Sequence, residues 1–443
     1  MTTIPRRRIL LTLCCLLLLA QASTADVPRI QNPAAPAEGV LPLRMTEQWR
    51  VGGEDHLIGL TTKVCTDADG RVHVMDSQLN RVLVFSPDGT FSHTLFREGE
   101  GPGEVRQPRD LFLLDDGRVG AIQEFPGATI YVDAHGQPAG RIRAGTPGGE
   151  LVSLIGCRAR GAHLLMSGLS QSSGDDPSIS HRTFFLSSFG DDGREIHRFC
   201  ESQAIYDFGD FKYSEREHIP TFLYCFDVGA DGRCCVAPDR DASAIHVFSP
   251  DGRPERIIER EYAPLDRADR EYEELRRTLH AGLSVVPIDF ELSVEKRAAA
   301  IPYFQRGLHL REDGSIWALS GRGIRDLPDG VFAVFDVFDP EGVFVRQVEL
   351  RGPGDALEDG IFFDGDDRLL VVEGYMDSML TWYAGGVRPD GDDEDAGSGV
   401  AVICYELNGR MWGPGGSEGA LRAPIDYLSR RRRRPVLRPI ERP

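Results

Sequence analysis

Residues Val64–Gly89 read VCTDADGRVHVMDSQLNRVLVFSPDG, and this stretch decides the fold. Two apolar runs alternate with polar residues, Arg71–Met75 and Arg81–Phe85. Each is bounded by turn chemistry: Asp69-Gly70, Gln78-Leu79-Asn80 and Pro87-Asp88-Gly89. A period of two places every second side chain on one face of a strand, and an Asx-Gly pair supplies the positive φ that a tight reversal needs. The stretch therefore predicts consecutive antiparallel hairpins.

The unit recurs. Unit two has Asp116-Gly117 and His135-Gly136; unit three, the weakest, has Arg160-Gly161 and Asp192-Gly193. Unit four has Asp231-Gly232 and Asp251-Gly252, unit five Asp313-Gly314 and Glu341-Gly342, and unit six Asp366-Asp367 and Asn408-Gly409. Six units of four strand slots predict an all-β, six-bladed β-propeller over 43–413. Unit six leaves little room for a fourth strand. Leu43–Val51 precedes unit one, so the expectation is that this N-terminal strand closes the ring and removes a free sheet edge.

Asp76–Phe85 (DSQLNRVLVF), Gly99–Glu104 (GEGPGE) and Asp313–Trp317 (DGSIW) resemble the units of NHL-repeat propellers and the bacterial six-bladed β-propeller group. The resemblance spans about 43–413. It implies blade structure and leaves function open, because propellers host binding modules, lyases and lactonases alike.

Residues 1–25 have the form of a signal peptide: Arg6-Arg7-Arg8, the apolar run Ile9–Ala20, and Ser23-Thr24-Ala25 as the cleavage site, with Ala20-Gln21-Ala22 as an alternative. This predicts an exported protein, periplasmic or extracellular, with no membrane insertion after cleavage. Residues 26–42 are expected as a linker and 414–443, with Arg430–Arg434, as a disordered basic tail. Three of the 50 basic residues lie in the leader, so the remainder carries 47 against 69 acidic residues, a net −22. Such a balance argues against nucleic acid and anionic membranes as partners. Seven cysteines follow the leader without a C-x-x-C motif. Cys225 and Cys234 flank one turn, which leaves a bridge or two buried thiols open.

In propellers of this kind, the second-to-third-strand loops and the inter-blade loops share one face around the channel. They group Arg97, Arg106, Arg109, Glu124, Arg240, Asp241, Arg325, Glu373 and Tyr375 as candidate ligand-binding residues, with the arginines suited to an anionic group. A small molecule, glycan or peptide is the expected partner. Between Tyr262 and Phe304 the alternation stops. Leu265, Ala268, Tyr272, Leu275 and Leu279 recur at helical spacing, so 263–300 is expected as a helical insertion between blades 4 and 5. Asp266 is its expected N-cap, Ser293–Ala300 a second helix, and the whole a lid on the ligand face.

No histidine spacing matches a metal motif, and no G-x-S-x-G occurs. The expectation is a protein without cofactor. Calcium is the one candidate ion, through the acidic run Asp390–Asp395 or, as in calcium-dependent lactonase propellers, through Glu124, Asn80, Asp241 and Glu373. The leading reading is a binding module; the alternative is a metal-dependent hydrolase or lyase with its site in the channel.

Overall fold

The chain reverses where the Asx-Gly turns lie. In the computed structural model Gly70 adopts φ +77° and Gly89 φ +83°, conformations that a Cβ disfavours. Gly70 N donates to Asp67 O (2.9 Å), and Asp67 N to Arg71 O (3.0 Å). The Asp67 carboxylate accepts from the Asp69 and Arg71 amides. The same backbone pattern returns at Gly117, Gly136, Gly193, Gly232, Gly252, Gly314 and Gly342. The structure describes residues 27–53, 57–145, 151–173, 176–285, 287–365, 367–385 and 400–409. The leader, the acidic run Asp390–Asp395 and the basic tail lie outside them.

Between these turns the strands form a β-propeller. Thr61–Thr66, Val72–Asp76, Arg81–Phe85 and Phe91–Leu95 make one antiparallel sheet, and Pro108–Leu113, Val119–Gln123, Ala128–Val132 and Pro138–Arg143 the next. Leu151–Arg160, His163–Ser173, Ile179–Phe189 and Glu195–Asp207 make a third with longer strands. Phe226–Val228, Cys234–Val236, Ala244–Phe248 and Pro254–Arg260 follow. One further sheet has eight strands, in which Val40–Gly52 joins a run of four, Leu308–Leu310, Ile316–Leu319, Val331–Phe338 and Phe344–Arg351, to a run of three, Ala401–Asn408, Arg368–Glu373 and Gly360–Asp364. The first half of Val40–Gly52 pairs parallel with Phe344–Arg351, and its second half antiparallel with Ala401–Asn408.

Residues 26–42, expected as a linker, contain strand instead. Arg29–Asn32 pairs parallel with Pro254–Arg260. Buried Asn32 ties it down, donating to Gly342 O (3.0 Å) and accepting from Phe344 N (2.8 Å). All seven cysteines of the described residues are free, Cys225 and Cys234 included.

The helices are short. Helix α1 spans Glu215–His218, α2 Asp269–Leu283 and α3 Tyr375–Tyr383. The insertion is helical only in part. Helix α2 starts after Ala268 without a side-chain cap, so Asp266 is not its N-cap. Leu275 and Leu279 are buried in the main core, as the spacing required. The second helix expected over Ser293–Ala300 is absent. Phe290–Ser293 is a strand parallel to Phe211–Ser214. Beyond it the Ala298 amide bonds to Leu265 O and the Ala300 amide to Arg240 O, so these donors go to distant carbonyls rather than to a helical turn. Among the described residues no helix is long and apolar enough to cross a membrane.

Candidate functional site

The expected ligand face is roofed. Helix α3 lies across it, with Arg109 over the Trp382 ring and the Tyr383 hydroxyl 2.9 Å from that of Tyr213. Tyr224, Tyr303 and Tyr383 pack around Phe304 in tilted and edge-on contacts, with their ring centroids 4.5–5.9 Å from its own. Helix α2 closes on α3 at Gly282, where a Cβ would meet the Ala384 backbone at 3.1 Å.

Most of the residues singled out on this face are paired with one another or with neighbours. Arg97 binds Glu104 (2.9 Å) and Arg106 binds Glu100 (2.7 Å), both at the surface. Arg325 binds Glu271. Asp241 binds Arg216 (2.7 Å), and Glu373 binds Arg50 (2.6 Å). Arg240 is buried 2.9 Å from Glu215 and donates to Arg297 O. Arg109 is buried with Nε and Nη1 unpartnered; its neighbour Glu124 has a carboxyl raised by burial, against the opposing charge of Arg109. Tyr375 is buried, and its hydroxyl has no well-formed hydrogen bond. Asn80 Oδ1 accepts from the Gln107 amide, so Asn80, Glu124, Asp241 and Glu373 each answer to a separate partner rather than to a common point. A different trio, Glu274, Glu358 and Asp377, brings carboxylate oxygens within 4.8 Å of one another. Burial, then the nearby acids, push the Glu358 carboxyl up to about 7.

The open end of the channel is the other one. A cavity of about 810 Å³ is lined by first-to-second-strand turns (Asp67–Asp69, Asp115–Gly117, Arg160, Arg311–Glu312 and Gly365) and by Ala134 of a third-to-fourth-strand turn. None of the residues expected from the sequence to bind ligand lines it. Parts of the rim are neutralised by pairs: Asp67 with Arg71 (2.7 Å), Asp116 with Arg118 (2.8 Å), and Asp364 with Arg368 (3.2 Å).

The floor is built from inner strands. Asp110 is fully buried and accepts from Arg306 Nη1 (2.7 Å) and from the Cys157 and Leu111 amides (2.9 Å each). Arg158 stands 3.6 Å from it. Burial raises the Asp110 carboxyl, but Arg306, Lys63 and Arg158 outweigh that and hold it below its ordinary value. Asp227 accepts from the Leu310 amide (2.8 Å). His309 is held far below its ordinary value, first by burial and then by Arg158, and stays neutral.

Lys63 is the exception on this floor. It is half-buried on the inner strand Thr61–Thr66, and its ammonium sits 5.6 Å from the Phe362 ring centre. No hydrogen bond or ion pair joins it to the described residues. Burial, then the charge of Arg158, bring it down to about 8, with Asp110 opposing. Sequence reasoning missed Lys63, Asp110, Arg158 and Arg306 because they come from different blades and lie on strands or connecting segments with no motif of their own. A lone lysine in an apolar-alternating strand was the one visible signal.

A family model described as a 6-bladed beta-propeller matches residues 53–142. Among curated proteins none matches this chain. Solved structures resemble the chain at low identity and with TM-scores below 0.5. A Bacteroides fragilis protein named as exported has 13% identity and TM-score 0.44, covering 86% of this chain and 99% of its own. A gluconolactonase from Xanthomonas campestris has 16% identity and TM-score 0.43, with the same coverage. The calcium-binding protein regucalcin from Agrobacterium tumefaciens has 14% identity and TM-score 0.40, covering 84% and 97%.

Proposed function

We propose that the chain is an exported six-bladed propeller, closed through Val40–Gly52, that binds a small anionic molecule in the turn-face cavity. The observation that carries this reading is the cavity floor. There Lys63, Arg158 and Arg306 face two carboxylates, Asp110 and Asp227, and the Lys63 ammonium has no partner of its own. In a chain of net charge −19, such a focus draws an anion out of an otherwise repelling field. A cavity of this size suits a small organic acid or sugar acid. The roofed opposite face supports a scaffold role for the arginines placed there, since most of them are already engaged by acids.

Calorimetric titration with oxalate tests the reading. Wild-type protein should bind it, and Arg158→Met should weaken binding by about tenfold, the loss of one charge-assisted contact. Equal affinity in the two proteins, with both folded by circular dichroism, sinks the assignment.

A further inference from the structure

Of the 50 basic residues in the chain, three are lysines: Lys63, Lys212 and Lys296. The other 47 are arginines, whose guanidinium stays protonated and cannot act as a nucleophile at neutral pH. Two of the lysines have ordinary surface roles. Lys212 pairs with Asp210 and Lys296 with Asp269, each at 3.1 Å, and these pairings push both ammonium groups above their ordinary value. Lys63 is placed differently: it projects from an inner strand into the cavity, unpaired, among Arg158, Arg306, Asp110 and the neighbouring Cys65. Like charges and burial both favour its free amine, whereas the surface lysines are locked as ammonium by their acids.

Resting on the anion-binding reading above, we propose that Lys63 is a nucleophile that captures the carbonyl carbon of an aldehyde acid or keto acid whose carboxylate is held by Arg158 and Arg306. The lone pair of the free amine forms a C–N bond to the carbonyl carbon, and the carbonyl oxygen takes up a proton to give a carbinolamine. The nitrogen then loses a proton, the C–O bond breaks and one water leaves, giving the imine. Nothing is oxidised or reduced, and the step reverses by hydrolysis. A covalent but reversible hold lets a shallow set of polar contacts retain a small ligand.

The probe is glyoxylate with cyanoborohydride, which reduces any imine to a stable carboxymethyl-lysine, followed by peptide mapping of wild-type protein at pH 7. Lys212 and Lys296 serve as internal controls, so the comparison does not depend on a variant folding. An amine brought down to about 8 carries over a hundredfold more free base at pH 7 than one at the ordinary lysine value of about 10.4. Intrinsic nucleophilicity falls with pKa and takes back part of this, so Lys63 should be modified about tenfold faster or more. Oxalate should protect it. Modification of Lys63 no faster than of the surface lysines overturns the proposal. If oxalate binds yet Lys63 stays unmodified, carbonyl capture falls and the anion site stands. If acetaldehyde labels Lys63 as fast as glyoxylate and oxalate neither binds nor protects, the anion reading itself falls, and the proposed ligand class with it.

Discussion

Glu215→Gln should cost about 3–5 kcal/mol of stability. Glu215 opens helix α1 at 0% exposure. Its carboxylate accepts from Arg267 Nη1 and Nη2 (2.9 and 2.8 Å), the Tyr303 hydroxyl (2.6 Å) and the Glu295 amide (2.9 Å), and lies 2.9 Å from Arg240 Nη1. Glutamine keeps the shape but leaves two buried guanidinium groups facing a neutral amide, and an unmatched buried charge is what makes such losses large. For a fold of this length the unfolding entropy is about 0.8 kcal/mol per degree, so the melting temperature should fall by about 4–6 °C. Arg216→Gln is the control. Its bridges to Asp241 and Glu295 are half-exposed and should contribute about 0–1 kcal/mol. The pH dependence has a definite sign. Burial raises the Glu215 carboxyl, but Arg267 and Arg240 outweigh this and hold it below its ordinary value. Its stabilisation is therefore complete above the unfolded glutamate pKa of about 4.3 and is lost as pH falls through the lower folded value. Melting curves of wild type and Glu215→Gln should run parallel from neutral pH to about pH 5 and converge in stronger acid. A Glu215→Gln melt no lower than that of Arg216→Gln refutes the reasoning.

Removing residues 27–52 should abolish the cooperative melt, because Ala401–Asn408, Phe344–Arg351 and Pro254–Arg260 each lose a paired strand; an unchanged melting temperature in scanning calorimetry contradicts this. The thiols of the native protein should react very slowly with a disulfide reagent at pH 8 and fully after denaturation. Burial pushes even the half-buried Cys65 and Cys200 up to about 12; rapid stoichiometric reaction of native protein shows that reading to be wrong.

The blades were legible because each reversal carries its own local cause. Gly70, Gly89, Gly117 and Gly252 sit at positive φ where the Asx-Gly pairs placed them, and the alternation between them needs only neighbouring residues. Helix α2 was legible for the same reason, since Leu275 and Leu279 meet the core on one face of a single helix. The rest depends on long-range partners. Nothing local in RIQN at 29–32 shows that Pro254–Arg260 awaits it. Phe290–Ser293 becomes a strand because Phe211–Ser214 offers an edge. The candidate face was read from loop chemistry, but loop charges such as Arg106 and Arg325 are consumed by nearby acids. The cavity floor is assembled from Lys63, Asp110, Arg158 and Arg306, which have no spacing rule between them.

The strand that joins the two ends of the chain also orders events during synthesis. Gln48 reaches its partner Glu406 across 358 residues, so one of the first strands made is the last to complete its pairing. At ribosomal speeds of about 5–20 residues per second, it waits about 20–70 s for residues 401–408 to emerge. A strand held open that long is a template for pairing with other chains. Arg44, Glu47 and Arg50, spread along Val40–Gly52, answer that hazard by making the waiting strand charged at short intervals. Emergence of Ala401–Asn408 is thus the timer for maturation, and nascent chains truncated before it leave the second half of Val40–Gly52 without its antiparallel partner.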